Sequence, residues 1–235
     1  MLHAGARMKA LARRALAIHK RLLDFFGEPE WRTPLPALDE LVSTILSQNT
    51  NDVNRDVAFF ALKDKYATWE AVRDAPAAEI VEAIRPAGLA NQKGPRIKAV
   101  LEAITKARGE LSLDFLKNYT VDEARDWLTQ FNGVGPKTAA IVLQFSLDIP
   151  AFPVDTHIYR VSGRLGLRPE TMTVEQAHPY LEALFPPETY YAGHLNIIRL
   201  GREICQARKP NCPACPVKDL CDYYAANYKN GKPRS

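Results

Sequence analysis

Between Phe131 and Ala140 the chain reads FNGVGPKTAA, and the residue types in that stretch allow two kinds of chemistry. Gly133 and Gly135 permit positive φ and leave backbone N–H groups uncovered, and Pro136 suits the first position of a helix. N–H groups at a helix N-terminus form a site for an anion such as a phosphate. Val134, between the glycines, is expected to turn inward and lock the turn. Lys137 then falls in the first turn of the new helix, where the macrodipole disfavours an ammonium and favours a neutral amine. A neutral amine can form a Schiff base with a sugar aldehyde carbon, whereas a charged one pairs with a phosphate. The hairpin by itself is compatible with both. It is not a P-loop, because G-x-x-x-x-G-K-[ST] does not fit and no strand precedes it.

Eighteen residues on, FPVDTHIYRVSGRLGL (152–167) places Asp155 just ahead of a helix-like segment. There a carboxylate caps the helix, and it can also offset positive charge growing on a sugar as a base is displaced by a lysine. The third chemical feature is the cysteines. All four lie in C-x6-C-x2-C-x5-C spacing at Cys205, Cys212, Cys215 and Cys221, after 204 residues without one. Disulfides are a poor explanation without a signal peptide, and a CxxC redox pair would want a βαβ setting. Structural zinc also takes four cysteines, although it usually presents two CxxC-like knuckles and this segment has one.

The elements that must position these groups read as almost entirely helical. LDELVSTILSQ, TWEAVRDA, AAEIVEAIR, RIKAVLEAITKA and TAAIVLQFSL carry apolar stripes at helical spacing. Thr120 with Glu123, and Thr173 with Gln176, have the capping-box pattern. Near the N-terminus Leu11, Ala15, Ile18, Leu22 and Phe26 fall on one helical face. Two stretches break the pattern: PAGLANQKGP (86–95) is expected to be a loop, and PNCPACPVKDLC (210–221) cannot be a helix.

With 235 residues, 46% hydrophobic and 25% charged, the composition is that of an ordinary globular protein. A net charge of +4 suits a polyanionic partner without demanding one. No apolar run approaches the roughly 18 residues of a membrane span, so no membrane is expected.

G-V-G-P-K-T-A followed by V-D-T-H-I-Y-R-V resembles the helix–hairpin–helix DNA glycosylases, and the endonuclease III family among them. The resemblance extends to ILSQNTND (45–52), to GLANQK (88–93) and to the cysteines, covering nearly the whole chain in the family's order. It implies an all-α, two-domain fold with DNA and the catalytic residues between the domains. One domain, 30–149, is a six-helix barrel carrying the helix–hairpin–helix at about 129–145. The other, 1–29 with 150–235, holds a [4Fe–4S] cluster on Cys205, Cys212, Cys215 and Cys221.

By the same resemblance Lys137 is the Schiff-base lysine and Asp155 the catalytic aspartate. Leu89 is the wedge in the opposite strand, while Ser47, Asp52 and His157 belong to the pocket or its support. Gly133, Val134, Gly135, Gln48, Asn49, Asn91, Lys93, Arg208 and Lys209 are expected on DNA. The family's common L-S-x-Q-x-T-D is altered here: Gln48 comes one position early and Asn49 stands in the slot of the gap-filling glutamine.

The implied activity is base excision repair by a bifunctional glycosylase and abasic-site lyase. It flips oxidised pyrimidines out of duplex DNA and cleaves the strand by β-elimination. Alternatives are adenine or mismatched-thymine removal on the same scaffold, or a catalytically silent module that binds DNA structure. The expected partner is double-stranded DNA with a damaged base or an abasic site, met by a monomer. The expected location is the cytoplasm or nucleoid of a bacterium or archaeon, with nucleus and mitochondrion left open.

Overall fold

The computed structural model describes residues 2–229 and 232–233. In chain order its helices are α1 (Leu2–Phe26), α2 (Ala37–Ser47), α3 (Asp52–Lys65), α4 (Trp69–Asp74), α5 (Ala77–Ala83), α6 (Ala90–Arg108), α7 (Val121–Thr129), α8 (Pro136–Ser146), α9 (Thr156–Arg164), α10 (Val174–Glu182), α11 (Tyr190–Glu203) and α12 (Asp222–Asn227). Two short antiparallel strands, β1 (Tyr228–Lys229) and β2 (Lys232–Pro233), follow. No described helix is long and apolar enough to cross a membrane. The chain divides into two compact units, Thr33–Ile149 and Met1–Arg32 with Pro150–Ser235.

In the unit 33–149, α2 is buried along nearly its whole length and packs on α3 and α8. Its buried carboxylate, Asp39, is satisfied by the Trp69 indole N–H at 2.6 Å and by Lys63 at 3.4 Å. Here α4 and α5 are two short helices rather than one. Pro76 supplies the break: it cannot extend a helix from Asp74, and Ala75 before it is extended.

The stretch 86–95 is a correction of another kind. Only Gly88 and Leu89 are loop, and ANQKGP forms the first turns of α6. Gly94 lets α6 lie directly on α5, because a Cβ there would fall 2.6 Å from Val81 Cγ2. Further on, α7 starts at the Thr120–Glu123 capping box, which forms in full.

In the other unit the two ends of the chain make one core. Ala15, Ile18 and Leu22 of α1 are fully buried with Phe152, Ile158, Val161, Leu181, Ile197 and Leu200. Leu11 and Phe26 pack at the edge of the same cluster, so the whole N-terminal stripe is accounted for. The Thr173–Gln176 capping box opens α10. As expected, 210–221 contains no α-helix, only two 3₁₀ turns.

Candidate active site

In the unit 33–149, the turn between α7 and α8 is closed by the Val134 N–H donating to Phe131 O at 3.0 Å. The Val134 side chain is buried beneath it. Gly133 has φ +92 and Gly135 has φ −88. Among the described residues the Gly133 and Gly135 N–H groups have no protein acceptor. Lys137 is the second residue of α8 and half-buried. No acidic residue shares the first turn, and among the described residues no carboxylate pairs with Lys137. An amine at the positive end of a helix, without a counter-ion, is available to an incoming electrophile or anion.

Several residues expected on DNA lie in the same unit, and the structure sorts them. Asn49 is exposed at the turn after α2, with φ 53. Leu89 is 47% exposed just before α6, with φ 49. Asn91 is exposed in the first turn of α6. Gln48, in contrast, is spent internally: its Oε1 accepts from Arg96 Nη1 at 2.9 Å and its Nε2 donates to Gly133 O at 3.4 Å. Lys93 corrects the sequence reading most sharply. It is 1% exposed, and its ammonium donates to Leu46 O at 2.7 Å and Ala87 O at 2.8 Å. No phosphate can reach it. Ser47 Oγ donates to Thr44 O at 2.8 Å, and Asp52 pairs at the surface with Arg55 at 3.1 Å. Both expected pocket residues are therefore bonded within or beside their own helices.

In the other unit, Asp155 caps α9, its Oδ1 accepting the Ile158 N–H at 2.7 Å. The extended segment ahead of it is fastened by side chains that sequence reasoning missed. Phe152 N–H donates to Glu182 Oε2 at 3.0 Å; His178 Nδ1 lies 3.3 Å from Phe152 O, and His194 Nδ1 lies 3.0 Å from Pro153 O. Because the partners are carbonyls, both imidazoles carry their proton on Nδ1. His157 Nδ1 meets Arg160 Nη2 at 3.1 Å, and Arg160 also holds Gly201 O and Cys205 O.

The four cysteines are free thiols lining one cavity, with Arg164, Leu165 and Tyr223 among its other walls. Burial pushes the Cys215 thiol up to about 11, and its cysteine neighbours Cys205, Cys221 and Cys212 push the same way. Burial raises Cys212 and Cys221 as well. As the side chains stand, no three His, Cys, Asp or Glu among the described residues could hold a single metal ion. Four sulfurs lining one cavity nevertheless fit, in number and kind, the donor set of a thiolate-ligated iron–sulfur cluster. Arg164, also missed from the sequence, reaches Cys205 Sγ at 3.4 Å and holds Gln206 O at 2.7 Å and Ala207 O at 2.9 Å. Arg208 and Lys209 stand exposed on the loop it braces, Lys209 with φ 51.

Residues 42–187 match the model of the HhH-GPD superfamily base excision DNA repair proteins. The chain is 36% identical over 192 residues to endonuclease III of Sulfolobus acidocaldarius, covering 81% of this chain and 83% of that one. It is 32% identical to the DNA glycosylase/AP lyase ROS1 of Arabidopsis thaliana over 70% of its own length, but spans only 13% of that protein. Among solved structures, that of a non-covalent endonuclease III–DNA complex superposes with a TM-score of 0.77 at 28% identity, over 92% of this chain and 97% of the other.

Proposed function

Because the chain belongs to the endonuclease III family within the HhH-GPD superfamily of base excision DNA repair proteins, we propose that it is a DNA glycosylase and abasic-site lyase acting on oxidised pyrimidines in duplex DNA. The observation that carries this reading is Lys137, an amine in the first turn of α8 directly after a glycine hairpin and without a carboxylate beside it.

In this reading the unprotonated Lys137 amine bonds to the sugar carbon bearing the damaged base. The base leaves with the electrons of the glycosidic bond and takes up a proton. Ring opening and loss of a second amine proton give the imine, and removal of the neighbouring C2′ proton then expels the 3′ phosphate with its electron pair. The Asp155 carboxylate offsets the charge growing on the sugar. The Gly133 and Gly135 N–H groups, Arg208 and Lys209 grip phosphates, while Asn49 occupies the space that the flipped base vacates and Leu89 wedges into the opposite strand. A [4Fe–4S] cluster on the four cysteines would supply a structural cross-link for the loop that carries Arg208 and Lys209.

Borohydride reduction in the presence of abasic-site DNA tests the chemistry. The wild-type chain is expected to form a covalent adduct and Lys137→Gln none. Asp155→Asn should form it slowly while folding normally, since asparagine caps a helix as well as aspartate. No adduct from the wild type would remove the lyase assignment.

A further inference from the structure

Asn49 and Leu89 share a property with few residues in the chain: both are non-glycine residues in the left-handed region, with φ 53 and 49. Such backbone persists only where the surroundings over-determine it. Here the surroundings converge on one group. Lys93 Nζ donates to Leu46 O, three residues ahead of Asn49, and to Ala87 O, two residues ahead of Leu89. The lysine is fully buried, in the first turn of α6 where a helix end repels a cation. Burial, reinforced by Arg96, pushes its pKa down. A buried cation kept in so unfavourable a place does not serve packing, which an apolar side chain would do as well.

A second tie lies one turn further along α6. Arg96 Nη1 reaches Gln48 Oε1, and Gln48 Nε2 reaches Gly133 O in the hairpin. The Arg96 side chain lies so close over the turn that a Cβ on Gly133 would fall 2.0 Å from its Cδ. The start of α6 therefore fastens three segments that are far apart in sequence.

We propose that Lys93, Arg96 and Gln48 are positioning residues that hold Asn49, Leu89 and the hairpin as one preformed edge for reading DNA with a vacated base position. The proposal rests on the repair function proposed above. Holding the two tips in advance removes the ordering that binding would otherwise cost, and it acts on the distorted duplex specifically, because intact DNA has no gap for the tips to enter.

The test is equilibrium binding of the full chain to two duplexes of equal length, one carrying a tetrahydrofuran abasic-site analogue and one intact, at fixed salt. Lys93→Met and Arg96→Met should each lower the ratio of the two affinities by about tenfold, equivalent to ~1.4 kcal/mol. In a chain already carrying Asn49→Ala and Leu89→Ala, Arg96→Met should lower the ratio no further. Arg96 is half-buried, so its variant keeps the test alive if Lys93→Met does not fold. Equal weakening on both duplexes, or a further loss in the tip-less background, would overturn the proposal while leaving the function intact. A wild-type chain without preference for the abasic duplex would instead remove the functional reading, and the proposal with it.

Discussion

Gly133 and Gly135 stand two residues apart in one turn yet are glycine for different reasons. Gly133 has φ +92 and lies under Arg96, so Gly133→Ala meets both strain and a clash. It should cost about 2–3 kcal/mol in urea unfolding. Gly135 has φ −88 and open space around its missing Cβ, so Gly135→Ala should stay within about 0.5 kcal/mol of wild type. Its methyl would nevertheless shade the N–H proposed to meet a phosphate, and DNA affinity should fall without a change in melting. Equal stability losses at the two positions would contradict this division of roles. The glycine turn ahead of α8 and the gathering of the four cysteines were legible because they depend on local type and spacing. Lys93 and Gln48 were not. Nothing in GLANQK says that its lysine is buried, and one carbonyl it meets is 47 positions away. Gln48 likewise looks like a polar residue free for DNA until Arg96 and Gly133 are seen beside it.

At the scale of elements, the capping boxes and the stripe on α1 follow from short-range rules, and they form as the sequence indicates. The start of α6 does not, since Gly94 and Pro95 are both helix breakers, and the reason for Gly94 is its close approach to Val81. The loop 205–211 is another element set by a distant partner. Arg164 on α9 holds the carbonyls of Cys205, Gln206 and Ala207, and without it Arg208 and Lys209 have no fixed direction. Arg164→Met should therefore weaken DNA binding and reduce the log–log salt slope by about 1–2, as expected for the loss of one or two phosphate contacts. Titrations across a range of salt concentrations measure this. An unchanged slope would take Arg208 and Lys209 out of the phosphate grip.

For the whole molecule, the cysteine cavity sets how stability responds to pH. In a cluster-free chain the Cys215 thiol ionises at about 11 when folded, against an ordinary 9.0. The folded state thus holds its proton longer than the unfolded one. Stability from the neutral thiol is fully present below about 9 and is lost as the pH rises towards about 11. Ligation fixes the sulfurs as thiolates and removes that dependence. Urea midpoints near pH 8 and pH 10 should therefore diverge for chain prepared without iron and converge for chain reconstituted with iron and sulfide; equal divergence in both would mean that the cavity takes no cluster. The unit that contains these cysteines also has a consequence in time. It is assembled from both ends of the chain, with the whole of 33–149 between its parts. A ribosome releases α1 ahead of 33–149, and the partners of Ala15, Ile18 and Leu22 emerge only after residue 150. At ~5–20 residues per second that apolar face waits for roughly 10 s, long enough for the intervening unit to fold first. A nascent chain stalled before Pro150 would carry α1 as an orphan helix, so synthesis has to run nearly to the cysteines before α1 finds its place.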